Sequence, residues 1–402
     1  MNFSEDNLIA YFQPIFSADT NDIYAYEVLG RYIDSDGKVK SLGPFFNNPD
    51  TSPEEALKID RIIRRYGMKK YAEEKRNEYL FINIRLAWIL PYAENPEEML
   101  TLQLAKEFGI APEKLVIEIT EEEFNASEEY IRGIVHYKKA GCRIALDDYG
   151  KEASNIDRLA KLQPDIIKIN IDYIHNSETS YHYREYLRAI ASFADSVGIE
   201  VLHEGVETER QLDVCISAKG RFYQGFLLAL PQASMTDPDI NKFVFSALIS
   251  TAYSTIQTKA ADAEALKNSI DVLVERFLRK NPFSYEKIIN NDYLIKLFNE
   301  LPEVIRIYLC NSKGVQLSNN IERQSGNIVC MEFKNKNWAW RGYFHEIIKA
   351  FVRGRKSCLT NPYRDFLTKE KIRTYCYAIR DDVFLLADII KKHDRTNSNV
   401  SG

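Results

Sequence analysis

Through the first 230 residues, short apolar runs of strand length alternate with stretches whose apolar residues recur every three or four positions. The strand-like runs are Ile9 to Phe16, Ile23 to Arg31, Tyr79 to Ile84, Leu115 to Thr120, Arg143 to Asp148, Ile166 to Asn170, Glu200 to Glu204 and Phe222 to Leu228. Glu54 to Tyr71 and Tyr183 to Val197 carry the helical period. Only Asp19-Thr-Asn-Asp separates the first two strands, which is too short for a crossover, so they form an antiparallel hairpin. The later alternation of strands and helices implies parallel pairing. Eight strands with one reversed predict an α/β fold, a modified (β/α)8 TIM-like barrel with one antiparallel strand, over residues 1–236.

From Asp237 the pattern changes. Apolar residues at Phe245, Ile249, Ala252, Ile256, Ala260, Ala263, Leu266, Ile270, Leu273 and Phe277 predict one long amphipathic helix over 237–282, stopped by Asn281-Pro282. Two readings stay open: a helix packed along its own domains, or a connector between domains and subunits. Residues 283–391 read as an α+β domain with an antiparallel sheet. Val304 to Cys310 turns at Asn311-Ser-Lys-Gly into Val315 to Ser318, and Arg373 to Ile379 turns into Val383 to Ile390. The aromatic stretch Trp338 to Phe344 reads as helical, serving either as core or as the lining of a small-ligand pocket. Residues 392–402 are polar and expected to be disordered.

The chemistry collects where the barrel strands end. Glu27, Asn83, Glu118, Asp147, Asp148, Lys168, Glu204 and Gln224 all lie at or near those ends, and five of them are carboxylates. Each acid alone reads as a solvated or salt-bridged side chain; at consecutive strands they point to one rim of a barrel. Converging acids without cations repel one another. Oxygen ligands without a His/Cys cluster favour Mg2+ or Mn2+, and a pair of ions about 4 Å apart suits phosphodiester hydrolysis. Asp147 is placed to bridge two ions, and Lys168 to orient water or stabilise phosphoryl charge. His203 points to the face opposite Glu204 if that segment is extended.

Composition narrows the setting. A length of 402 residues suits a barrel plus a smaller domain. The net charge of −5, with no dominant Lys/Arg block, argues against duplex DNA as a partner. Six cysteines without a CxxC pair, no signal-peptide pattern and no 18-residue apolar run predict reduced thiols in a cytoplasmic protein with no membrane span.

Glu27-Val-Leu-Gly-Arg31 resembles the signature of the EAL-domain cyclic-di-GMP phosphodiesterases. Gln13-Pro14-Ile15, Phe81-Ile-Asn83, Glu118-Ile-Thr-Glu121, Asp147-Asp148-Tyr-Gly150, Lys168-Ile-Asn170, Glu204-Gly-Val-Glu207-Thr and Gln224-Gly-Phe fit the same family over residues 8–232. With its long helix and PAS/Cache-like C-terminal domain, the whole chain resembles the YkuI-type members. The resemblance implies that Glu27, Asn83, Glu118 and Asp147 hold one Mg2+ or Mn2+, and Asp147, Asp148 and Glu204 a second. It implies that Lys168 contacts the attacking water, that Glu121 anchors the loop after Asp148, and that Arg31, Gln224, Gln13 and Glu207 serve the substrate side. The implied reaction opens cyclic-di-GMP to pGpG in a homodimer regulated by its C-terminal domain. The sequence departs from the family at Tyr149-Gly-Lys151-Glu152, where a second glycine is replaced, at Asn170 in place of Asp, and at a shortened Gly220-Arg-Phe-Tyr segment. A second reading follows from those departures: a cyclic-di-GMP receptor that hydrolyses little.

Overall fold

The computed structural model describes residues 3–92, 95–120, 128–150, 156–235, 238–286, 291–324 and 326–390. Two compact units divide between residues 256 and 257. In the first, β1 (Leu8–Ser17) and β2 (Asp22–Ile33) form the predicted hairpin, paired from Leu8↔Tyr32 to Ser17↔Asp22. A short β3 (Val39–Ser41) extends the sheet beyond β2. Then β4 (Tyr79–Asn83), β5 (Leu115–Thr120), β6 (Arg143–Tyr149), β7 (Ile166–Ile169), β8 (Glu200–His203) and β9 (Phe222–Tyr223) follow in parallel order from β2. β9 meets β1 antiparallel, which closes the barrel with β1 as its reversed strand.

The last strand is shorter than expected. It stops at Tyr223 because Gly225 presses against another backbone: a Cβ there would lie 2.1 Å from the Val206 oxygen. The Val206 N–H bonds Gln224 O and the Leu227 N–H bonds Val206 O, so the chain turns instead of extending.

One apolar side chain from each barrel strand fills the interior: Ile15, Ala25, Phe81, Val116, Ala145, Ile166, Leu202 and Phe222, none more than 0% exposed. Below this plug, Tyr24 stacks on Tyr79 and Phe222, and Arg143 bonds the Tyr24 hydroxyl and pairs with Glu200. The lower end is therefore packed rather than open, as the layered filling of such barrels requires.

The long helix is one element, Pro238–Lys280. Phe245, Ile249 and Ala252 join the core of the first unit, while Ile270, Val274 and Phe277 join a core of the second. In the second unit, β10 (Val304–Asn311), β11 (Asn320–Gln324), β12 (Asn327–Met331), β13 (Ser357–Leu359), β14 (Tyr363–Arg364), β15 (Lys371–Arg380) and β16 (Val383–Ile390) form an open antiparallel sheet. Its β16 alternates between two cores, Leu385 and Ala387 facing one and Phe384 and Leu386 the other, which explains its near-continuous apolar sequence. The hairpin of β15 and β16 matches expectation.

The turn at Asn311 to Gly314 folds Val315 to Ser318 back antiparallel on β10, with the Asn311 N–H on Val315 O, the Leu317 N–H on Leu309 O and a bridge between Cys310 and Gln316, and β11 starts later, at Asn320. One expectation there is corrected. The helix begins at Gly342, not Trp338. Trp338 instead donates its indole N–H to Gln316, and the Asn337 side chain caps the Ala339 N–H. The expected disordered tail at 392–402 lies outside the described residues.

Candidate functional site

Side chains alternate across a strand, so residues two apart share a face. Two steps beyond the apolar plug on each parallel strand, and two steps back on the reversed β1, lie Gln13, Glu27, Asn83, Glu118, Asp147, Lys168, Glu204 and Gln224. A layer of eight polar groups thus sits directly on a layer of eight apolar ones.

Lys168, only 1% exposed, is the centre of that layer. Its Nζ bonds Glu118 Oε1 and lies 3.2 Å from Asp147 Oδ1, 3.2 Å from Glu204 Oε2 and 3.6 Å from Glu27 Oε2. A buried ammonium needs such partners. Glu27 is also held by amides: Asn83 Nδ2 donates to its Oε1 at 3.0 Å and Gln224 Nε2 to its Oε2 at 2.8 Å. One cation cannot balance four carboxylates. Burial, followed by Glu204, Glu27 and Asp148, pushes the Asp147 carboxyl well above its ordinary range, and burial raises Glu204 despite Lys168.

Asp148 follows Asp147 directly and would point to the other face of a regular strand. The pairing of β6 with β7 shifts register between Leu146 and Tyr149, and Asp148 takes φ 55°. A bulge with a left-handed residue re-aims a side chain at the cost of local strain. Asn170 Nδ2 donates to Asp148 Oδ1 at 2.7 Å while Asn170 Oδ1 caps the helix Ile171–Ser177 through the Asp172 N–H.

A cleft of about 680 Å3 opens beside this layer, lined among others by Arg31, Asn83, Arg85, Trp88, Glu118 and Asp148. The Arg31 guanidinium donates to Gly30 O at 2.9 Å and lies 5.8 Å from the Tyr11 ring centre. Arg85 and Trp88 escaped the sequence reading. Arg85 bonds Phe46 O and lies 5.5 Å from the Trp88 ring centre; its place just past β4 was the available signal. The buried Gln13 donates to Ala229 O at 3.3 Å. Glu207 is exposed and turns to His175, 3.6 Å away. His203 does face away from Glu204: it is buried, stacks on Tyr223, and burial pushes its pKa down to about 3. Glu121, Lys151 and Glu152 lie outside the described residues.

Among the described residues, no three acidic, His or Cys side chains converge on one point as a closed ion cage; the carboxylates are drawn to Lys168 instead. The donor set nevertheless fits divalent ions. Among the described residues, Glu118 Oε2 and Glu204 Oε1 are buried and accept no hydrogen bond, and Asp147 Oδ1 lies 3.2 Å from the Lys168 ammonium. Hard oxygens with excess negative charge suit Mg2+ or Mn2+.

The profile of the EAL domain matches residues 1–231, and that of an EAL-domain associated signalling protein domain matches residues 241–394. The chain is 33% identical over 392 residues to YkuI, an EAL-domain containing protein of Bacillus subtilis (strain 168), covering 96% of this chain and 94% of that one. A crystal structure of Bacillus subtilis YkuI in complex with substrate c-di-GMP and calcium superposes with a TM-score of 0.84 at 31% identity, covering 97% of this chain and 98% of that one. RocR of Pseudomonas aeruginosa, a cyclic di-GMP phosphodiesterase, is 26% identical over 231 residues, 55% of this chain and 57% of RocR.

Proposed function

This chain belongs to the EAL-domain family, and on that premise we propose that its barrel binds cyclic-di-GMP and hydrolyses it to linear pGpG. The observation that carries the reading is the polar layer, where Glu118 Oε2 and Glu204 Oε1 are buried without hydrogen-bond partners among the described residues, beside an open cleft. Glu27, Asn83, Glu118 and Asp147 would hold one divalent ion, and Asp147, Asp148 and Glu204 the other. Bound there, such ions supply positive charge against the acids and acidify water near a phosphodiester. The chain's own residues do the rest. Lys168 steadies the attacking oxygen and the phosphoryl charge. Arg31, at the cleft wall, holds a substrate phosphate, and Gln224 fixes Glu27 from the opposite side. Gln13 and Glu207 act more remotely, Gln13 by bracing the Ala229 carbonyl.

Purified protein with Mn2+ and cyclic-di-GMP should form pGpG; no product at high enzyme concentration refutes hydrolysis. A receptor with little turnover is the second reading, favoured by Lys151 and Glu152 in place of the family's loop pattern. Glu152→Gly separates the two. A large gain in rate assigns the limit to the loop of an intact site. We also infer a homodimer under control of the C-terminal domain, tested by light scattering and by comparing rates with and without residues 283–391.

A further inference from the structure

The second unit holds a cavity of its own, about 350 Å3, at the small end of ligand-binding pockets. It lies on the sheet face that carries Arg306, Tyr308 and Asp388, residues that share a side by strand alternation.

Its floor is ionic. Arg306 donates through Nη1 to Asp388 Oδ2 at 2.9 Å, through Nη2 to Asp365 Oδ2 at 3.2 Å and through Nε to Glu322 Oε1 at 2.7 Å. Of these partners Asp388 and Asp365 line the cavity with the one cation, so the floor keeps a negative surplus. Both oxygens of Asp388 are engaged, the second by the Thr374 hydroxyl at 2.8 Å. Asp365 differs. The Thr368 N–H and hydroxyl also bond its Oδ2, at 3.2 and 2.9 Å, and its Oδ1 accepts no hydrogen bond among the described residues. A carboxylate oxygen left open toward a cavity is a seat for an N–H donor.

The mouth has the opposite sign. Lys336 and Arg341 line it, and neither forms an ion pair among the described residues. Both rest on aromatic faces. Lys336 Nζ lies 4.1 Å from the Phe333 ring centre, and Arg341 Cζ lies 5.3, 5.7, 5.6 and 5.9 Å from those of Trp340, Tyr343, Tyr363 and Phe366. The deeper rings are fixed: Tyr343 and Tyr363 stack at 4.9 Å with 9° between planes. Trp340 and Phe366 stand 65% and 62% exposed at the entrance, a large apolar area to leave in water.

We propose that this cavity binds a small zwitterion of amino-acid size, its ammonium on Asp365 Oδ1 and its carboxylate on Arg341 and Lys336. A purely cationic amine would pass two unpaired cations at the mouth. A purely anionic ligand would lie over the carboxylate surplus of the floor. Only a ligand with both charges leaves neither end uncompensated, and mismatched charge is what excludes a wrong ligand. The assignment is independent of the reaction in the barrel.

The test uses the full chain, with the standard L-amino acids, β-alanine and γ-aminobutyrate supplied at millimolar concentration. Thermal shift finds the best zwitterion and calorimetry measures it. Its methyl ester, lacking the carboxylate, and its N-acetyl derivative, lacking the ammonium, should each bind at least about tenfold more weakly. Arg341→Ala should weaken the zwitterion by a similar factor and leave the ester unchanged. Asp365→Asn should weaken the zwitterion and leave the N-acetyl derivative unchanged. The ligand analogues decide the matter even where Asp365→Asn fails to fold. Absence of any zwitterion binding, or an ester or N-acetyl analogue binding as well as its parent, overturns the proposal.

Discussion

Replacing Lys168 by Met tests the electrostatic account of the polar layer. The ammonium lies 3.2 Å from Asp147 and from Glu204, contacts worth about 5 kcal/mol each at an effective dielectric near 20. Desolvation of the buried groups offsets much of that, so breaking the cluster by removing its cation should cost about 3–5 kcal/mol without added metal. The cost must depend on pH. Asp147 already has a folded pKa well above its ordinary 3.8. A carboxyl raised in this way favours the folded state while neutral, and that advantage is lost as pH rises from the unfolded value through the folded one. Without Lys168 the folded value rises further. Between pH 5 and 8 the variant should then lose about 1.4 kcal/mol per pH unit for each carboxyl that stays protonated only when folded. Urea unfolding in EDTA at several pH values, followed by circular dichroism, measures this. Wild type should show the same slope more weakly, and the two should converge toward pH 5. A difference that is the same at every pH would refute the reasoning, as would full stability of Lys168→Met at pH 8.

Other outcomes follow from single contacts. Glu118→Gln removes one carboxylate oxygen from the donor set, so apparent Mn2+ affinity in the hydrolysis assay should fall more than about tenfold. Asn170→Asp keeps the helix cap but sets a second carboxylate against Asp148; metal-free stability should fall by about 1–3 kcal/mol at pH 8 and recover toward pH 5, read as melting temperature. Gly225→Ala puts a Cβ 2.1 Å from Val206 O and 2.2 Å from Val206 N. It should cost at least about 3 kcal/mol in urea unfolding, because backbone cannot step aside as a side chain can.

The barrel was legible because its two periods are local properties of the chain. Runs such as Arg143 to Asp148 have strand length and end in acids, and the four-residue spacer after Ser17-Ala18 forces a hairpin. The polar layer was legible for the same reason, since alternation alone puts Glu27, Asn83 and Glu118 on one face. What resisted reading depends on dihedrals and on distant partners. Asp148 reaches the site through a left-handed φ and a register shift that its neighbours in sequence do not announce. Lys168 read as a group that orients water or stabilises phosphoryl charge, but the four carboxylates gathered on it from other strands could be counted only once the barrel closed. The pairing of β10 with β16 joins segments some eighty positions apart, and no local pattern distinguishes it from a pairing with the next segment. Arg85 looked like any loop cation until the cleft formed around it.

The apolar plug beneath the polar layer also governs the order of traffic. Eight side chains from Ile15 to Phe222 block the lower end, so the barrel is a vessel with a single mouth. Whatever settles on the polar layer must enter before anything that covers it and must leave after it. Exchange of the deeper occupant would then run at the off-rate of the upper one, and a tight upper ligand would act as a stopper.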